Sequence, residues 1–400
     1  MSEWLTTKLG SVLGPDGYIR GPFGSSLLRD EMLTQGIPVY EQQHAIYDHR
    51  DFRFYIDEQK HKELERFTVK ENDLIISCSG TLGKVSIIKK DDPKGIISQA
   101  LLILRPEINN IDIKFLYYFL TSPVGFNSIV SVSSGSVQTN IAKRSIVEHT
   151  EILPPLPEQR AIAGVLSSLD DKIDLLRRQN KTLEGMAEAL WRKMFVEEAD
   201  PEWKNGKLGD VIISIETGRR PKGGIDPNLL AGVPSIGAEN INGIGNYDYN
   251  KTKYVTEEYY SAMKSGEIQN YDILIYKDGA YIGKKSMFAN GFPFEKCCIN
   301  EHVFILRTGK VNSQLFLYFV LEQEELEQLN ANSAQPGLNQ EALRSFEIII
   351  PPDGVINDFG EKAKILIDKI FANSTQSRTL SRLRDTLLPK LMSGEVRVRI

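Results

Sequence analysis

The sequence predicts an α+β protein: two tandem mixed α/β domains on curled, mostly antiparallel sheets, separated by two long helices that form an intramolecular antiparallel coiled coil. Three observations predict this. The chain repeats itself at a shift of about 200 residues, each copy closes with a long heptad-patterned helix, and the stretches before the helices are short apolar runs broken by Gly, Pro, Asn and Asp.

The repeat is dense. Trp4…Lys8-Leu9-Gly10 returns as Trp203…Lys207-Leu208-Gly209, Gly36-Ile37-Pro38 as Gly232-Val233-Pro234, and Asp73-Leu74-Ile75-Ile76 as Asp272-Ile273-Leu274-Ile275. Leu104-Arg105 matches Leu306-Arg307, Pro154-Pro155 matches Pro351-Pro352, and Asp171-Lys172-Ile173 matches Asp368-Lys369-Ile370. The order is therefore domain (1–153), helix (154–198), domain (199–350), helix and tail (351–400).

Within the domains, residues 73–78, 84–88, 99–105, 272–276 and 302–307 read as strands, with short helices at 111–120 and 313–328 packed on them. Few helical crossovers separate the strands, which disfavours a doubly wound parallel sheet. Prolines 154, 155 and 157 hold the chain extended before the first long helix, with Pro157 suited to its first turn. Ile162, Leu166, Leu169, Ile173, Leu176, Asn180, Leu183, Ala187 and Leu190 then recur at steps of four and three. Asn180 is the one polar residue in this seam, and a lone polar residue at such a position sets register. Leu366, Ile370, Leu380 and Leu387 supply the facing seam, interrupted by Asn373, Ser377 and Arg384. At about 1.5 Å per residue, such a helix extends about 58 Å.

Composition excludes several function classes. With 41% hydrophobic and 25% charged residues the chain can fill two or three cores, and no run of about 18 apolar residues suggests a membrane span. The amino terminus lacks the pattern of a secretion signal, so a cytoplasmic setting is expected. Cys78, Cys297 and Cys298 have no CxxC spacing, and the five histidines have no ligand spacing, so no metal site is expected. Gly279 to Lys285 falls one residue short of a phosphate-binding loop and places Lys285 where Ser or Thr belongs. No dinucleotide or S-adenosylmethionine fingerprint follows a strand, so no catalytic residue or cofactor is expected on this chain.

What repeats instead is a set of glycine-rich polar loops. They carry Phe23, Ser25, Ser79, Thr81, Lys84, Ser136, Gln138 and Asn140 in the first copy. The second copy has Arg219, Arg220, Lys222, Lys277, Tyr281, Lys284, Gln335 and Asn339. Glycine permits close backbone approach, Ser, Thr and Lys meet phosphates, and Gln, Asn and Arg make paired contacts with base edges, so these are the candidate DNA-binding residues. Tight turns use the same residue types, and both readings stand. A net charge of −5 argues against a broad basic surface and predicts weak DNA binding by the chain alone.

Taken together, these residues resemble the specificity subunit of type I restriction-modification enzymes. The resemblance spans the chain. It is strongest at ILPPLPEQRAIAGVLSSLDDKIDLL (Ile152 to Leu176), and it includes Gly80-Thr81-Leu82-Gly83-Lys84, Lys277-Asp278-Gly279…Gly283-Lys284 and the closing Leu387 to Val398. It implies two target-recognition domains, each reading part of a split sequence in double-stranded DNA. The two helices would act as a ruler and dock two methyltransferase subunits. S-adenosylmethionine would come with those subunits, and ATP and magnesium chemistry with separate restriction and motor subunits. The competing expectation is a coiled-coil scaffold whose partners are proteins.

Overall fold

In the computed structural model, which describes residues 4–130, 146–324, 326 and 337–399, the central strand of each domain is a β-rich run buried on both faces. In the first domain Leu74–Ser77 lies between Val85–Ile87 and Leu101–Pro106, with Leu13–Arg20 beyond, all antiparallel. Successive side chains point to opposite faces. Leu74, Ile76, Leu102 and Leu104 therefore pack with Phe115, Leu116 and Phe119 of helix Ile113–Thr121, while Ile75, Leu101 and Ile103 pack with Tyr40. That helix starts where the Asp112 carboxylate accepts from the Phe115 N–H, an ordinary N-cap.

The second domain repeats the plan. Its main sheet runs Ser214–Thr217, Val303–Arg307, Asp272–Tyr276, Lys285–Phe288 and Gly243–Ile244. The Gly243–Ile244 strand has no counterpart among the described residues of the first domain. A smaller sheet in each half centres on Ile37–Tyr40 or Val233–Ile236, and a ribbon pairs Leu5–Lys8 with Thr150–Leu153, or Lys204–Lys207 with Glu347–Ile350. Most pairings are antiparallel, as the sequence predicts. Three short ones are parallel: Ile37–Tyr40 with Ile96–Ile97, Val233–Ile236 with Cys298–Ile299, and Gly243–Ile244 with Lys285–Phe288. Their partners are far apart along the chain, where no turn signal reports pairing.

Each main sheet is pinned by the same buried pair. Arg105 grips Asp73 through Nε and Nη2 at 2.7 and 2.8 Å, and Arg307 grips Asp272 at 2.7 and 2.6 Å. Asp73 is fully buried, so the two-pronged guanidinium contact is what lets a carboxylate sit there.

The chain divides into two units, Met1–Asp171 with Ser381–Ile400, and Lys172–Leu380. Both long helices, Leu156–Arg192 and Asp353–Met392, cross that division, so the expected segments 154–198 and 351–400 are shared between units. The first helix ends in one π-helical turn, Lys193–Glu197.

In the first unit Ile162, Ala163 and Leu166 join Leu391 and Met392 in the sheet core. Arg384 Nη1 donates to Asp170 at 2.6 Å, and Arg397 Nη2 donates to Glu158 at 2.6 Å, so position rises along one segment as it falls along the other. In the second unit Phe195 packs on Phe359 and Asn180 bonds Ser374, again with opposite polarity.

Ile162, Leu166, Ile173, Leu176 and Ile370 of the predicted seam are buried, and Leu169, Asn180, Leu183, Leu190, Leu366, Leu380 and Leu387 are half-buried. One correction concerns the second helix. Ile367 and Phe371 are fully buried where the heptad favours Leu366, because this face packs into the domain core as well as along its partner helix. Two of the interruptions, Asn373 and Arg384, have partners. Asn373 Nδ2 donates to Asn180 Oδ1 at 3.0 Å, Asn180 Nδ2 donates to Ser374 Oγ at 2.9 Å, and Ser374 Oγ donates to the Gly245 carbonyl at 2.7 Å. Arg384, a second interruption, answers Asp170.

Candidate nucleic-acid interface

The described loops that follow Leu13–Arg20 and Leu74–Ser77, and Ser214–Thr217 and Asp272–Tyr276, leave the same end of each main sheet. In the first domain the strand Leu13–Arg20 runs into Gly21, whose N–H donates to the Leu101 carbonyl at 3.0 Å. A Cβ at Gly21 would stand 2.0 Å from the Ser98 carbonyl oxygen, so only glycine lets this loop lie against residues 98–100. Arg20 Nη2 reaches the Cys78 carbonyl at 3.4 Å, which ties the same loop to the turn after Leu74–Ser77. In that turn Gly80 and Gly83 adopt positive φ.

Phe23 is 62% exposed, with the Arg20 guanidinium 5.6 Å from its ring centroid. Ser25 lies in the tight turn Gly24–Ser26. Ser79, Thr81 and Lys84 are exposed. Ser136, Gln138, Asn140 and Gln335 lie outside the described residues. The loops open onto a groove of about 650 Å³, walled by the short helix Gln42–Tyr47 as well as by Thr81 and Gln99. No sequence signal marked that helix. Gln42 Nε2 donates to the carbonyls of Ser79 and Thr81, at 2.5 and 3.0 Å, and so holds the glycine turn against the groove. Tyr47, on its last turn, is 72% exposed.

The second domain brings its described loop residues together in a similar way. A Cβ at Gly218 would stand 2.2 Å from the Ile299 carbonyl, the Lys277 N–H donates to the His302 carbonyl, and the Leu338 N–H donates to the Lys277 carbonyl. Arg219, Arg220, Lys222 and Lys284 are exposed, and so is Tyr281, with the Lys284 ammonium 4.5 Å from its ring centroid. Asn339 lies next to the cluster, but its side-chain oxygen accepts from the Ala342 N–H at 2.7 Å and caps the helix Gln340–Ser345.

Here the glycine turn is held by charge. Lys277 Nζ and His302 Nδ1 sit 2.8 and 2.7 Å from Asp278 Oδ2. Burial pushes the Asp278 carboxyl up, and the hydrogen bonds from Lys277 and His302 more than offset this, holding it below its ordinary range. Lys277 is thus committed to its neighbour. Gln42 has no counterpart in this role, since Ala238 follows the matching strand.

The three cysteines are buried and unpaired, and burial pushes the Cys78 and Cys298 thiols up to about 12, so none is poised as a nucleophile. No group of three His, Cys, Asp or Glu residues suited to a metal ion occurs among the described residues, and no helix among them is long and apolar enough to cross a membrane. What the site offers is two clusters of exposed polar, basic and aromatic groups on glycine turns.

Comparison with known proteins follows the same division. The family model for the type I restriction modification DNA specificity domain matches twice, over residues 20–185 and 201–368. The chain is 27% identical over 376 residues to the type I restriction enzyme MjaIX specificity subunit of Methanocaldococcus jannaschii, covering 86% of this chain and 82% of that protein. It is 23% identical to the HindI specificity subunit of Haemophilus influenzae, covering 82% and 87%. A crystal structure of a type I restriction-modification S subunit from M. genitalium shares the fold, with a TM-score of 0.60 over 97% of this chain and 96% of that one at 17% identity.

Proposed function

The chain belongs to the type I restriction modification DNA specificity family, and from that premise we propose that each of its domains reads one half of an asymmetric, bipartite DNA site. The observation that carries this reading is the duplicated loop cluster: two groups of DNA-compatible side chains on equivalent strands, with unlike residues in equivalent places. Like readers would favour a symmetric site; unlike readers favour two different half-sites. Phe23, Ser79, Thr81 and Lys84 belong to the first contact surface, and Arg219, Arg220, Lys222, Tyr281 and Lys284 to the second. Backbone amides and Lys or Ser groups position the duplex, while side chains in the grooves specify sequence.

The long helices set the number of base pairs between half-sites and dock two methyltransferase subunits, to which restriction and motor subunits attach. S-adenosylmethionine, ATP and magnesium act on those partners. With a net charge of −5, the chain by itself binds DNA weakly, and the partners supply much of the phosphate contact.

Methylation-sensitive sequencing of host DNA with and without the gene tests this reading. Loss of methylated adenine from one split motif is the expected result, and methylation unaffected by the deletion would favour a scaffold that binds only proteins. A four-residue insertion near Gln179, about one helical turn, together with its equivalent in the second helix, should lengthen the spacer and leave both half-sites unchanged.

A further inference from the structure

The two domains can be superposed through their hydrogen bonds, and this identifies equivalent loop positions that sequence alignment leaves loose. Arg20 pairs with Leu102 at the end of one strand, and Thr217 pairs with Phe304 at the end of the other. Gly21 and Gly218 follow, and each packs against the carbonyl of the residue that ends or follows the short parallel strand, Ser98 in one case, Ile299 and Asn300 in the other. Two residues further along the first loop, Phe23 therefore corresponds to Arg220. One residue beyond Ser98 and Asn300, Gln99 corresponds to Glu301.

Both positions differ between halves, and they differ together. The first domain has an exposed ring and a carboxamide. Gln99 is exposed, borders the groove beside Thr81, and its side chain has no hydrogen-bond partner among the described residues. The second domain has a cation and an anion. Arg220 Nε stands 3.7 Å from Glu301 Oε1, which also lies 3.4 Å from His302 Nε2. With Arg220 side-chain exposure at 65%, that contact is a loose surface pair that a ligand can open at little cost.

We infer that positions 23 and 99 in the first domain, and 220 and 301 in the second, are the specificity-determining pair of each reader, taking an A·T base pair in the first half-site and a G·C base pair in the second. The inference rests on the bipartite DNA-reading function proposed above. Its chemistry follows from the major-groove code. A carboxamide offers the donor and acceptor that adenine N7 and N6 require, and a ring packs on the thymine methyl. A guanidinium donates twice to guanine O6 and N7, and a carboxylate accepts from cytosine N4. Each domain thus presents two groups that suit the two bases of one pair.

The test uses the assembled complex of this chain with its methyltransferase subunits and a DNA library randomised in one half-site. The double variant Phe23→Arg with Gln99→Glu should shift one position of the first half-site from A·T to G·C by about fivefold or more, the lower end of what one paired contact discriminates. The second half-site and the spacer should stay as they are. The reciprocal Arg220→Phe with Glu301→Gln should do the opposite in the second half-site, and Gln99→Ala should relax one position only. Unchanged preference in both double variants would overturn the inference, as would preference lost evenly across a half-site, which is what collapse of a loop produces. If the unmodified complex enriches no split sequence, the underlying function fails instead.

Discussion

The first and second domains share a scaffold and differ in the chemistry that holds and dresses their loops. Beneath the loops the two are nearly interchangeable: Asp73 with Arg105 repeats as Asp272 with Arg307, down to the Lys70 and Gln269 N–H groups that each donate to the aspartate at 2.7 Å. On the loops they diverge. A neutral carboxamide, Gln42, holds the Ser79–Gly83 turn, whereas the ionic group Lys277, Asp278 and His302 holds its counterpart. On the reading proposed above, stability and sequence reading fall to separate residues. A buried charge tolerates no substitution that leaves it unpaired, while exposed loop positions can change with little effect on folding.

The sharpest way to break the comparison is to remove the duplicated pair. Arg105→Ala and Arg307→Ala should each lower stability by about 3–5 kcal/mol, since a buried carboxylate then loses its partner. Urea unfolding of each variant measures the loss. Each arginine also donates to one carbonyl, Thr68 or Glu267, but Arg307 donates to Glu216 as well, so the second domain should suffer more.

Next comes the polar layer of the second unit. Asn180→Ala strips the bonds to Asn373 and Ser374 and should destabilise by about 1–3 kcal/mol in the same assay. An Asn180→Leu, Asn373→Leu pair should lose less than the two single changes added together, and a strictly additive result would mean that the residues do not act as a unit.

A smaller effect separates the two glycine turns. Gln42→Ala should cost about 1 kcal/mol locally and speed amide exchange at Gly83 and Lys84, leaving Gly283 and Lys284 protected. Equal change in both turns would contradict independent holding.

The smallest effect concerns Glu184, on the first long helix. Burial, together with the nearby carboxylates Glu322 and Glu188, raises its pKa. A carboxyl raised in the folded state favours folding while protonated and loses that contribution as pH climbs through the folded pKa. Glu184→Gln should therefore raise Tm at about pH 8, with a gain that shrinks as pH falls toward the carboxylate range. Scanning calorimetry at several pH values reads this directly.

Much of the architecture was legible in the residues because its signals are local or repeated. The strands at 73–78 and 272–276, the helix at 111–120 and both long helices lie within a few residues of their predicted places, whereas the helix predicted at 313–328 is Val311–Gln323, with residues 325, 327 and 328 outside the described residues. The seam was readable at Ile173 and Leu176, both buried, because amphipathic periodicity reports burial. Asn373 and Arg384 looked like breaks, since a one-helix pattern cannot show that Asn180 and Asp170 face them. The loops are legible as glycine-rich polar turns, but Gln42 sits just past an ordinary strand and Gln99 reads as the first residue of one that in fact begins at Leu101, and each acquires meaning only from a turn distant in the chain.

By itself, the sequence determined the duplication, the class of the fold and the presence of two unlike loop sets, because repeat spacing, hydrophobic period and turn chemistry act over short distances along the chain. Only the tertiary structure decided which interruptions are partners, which glycines are pressed against a carbonyl, and that Phe23 with Gln99 stands where Arg220 with Glu301 stands. Those are facts of register between distant strands, and register is set by packing across the whole core.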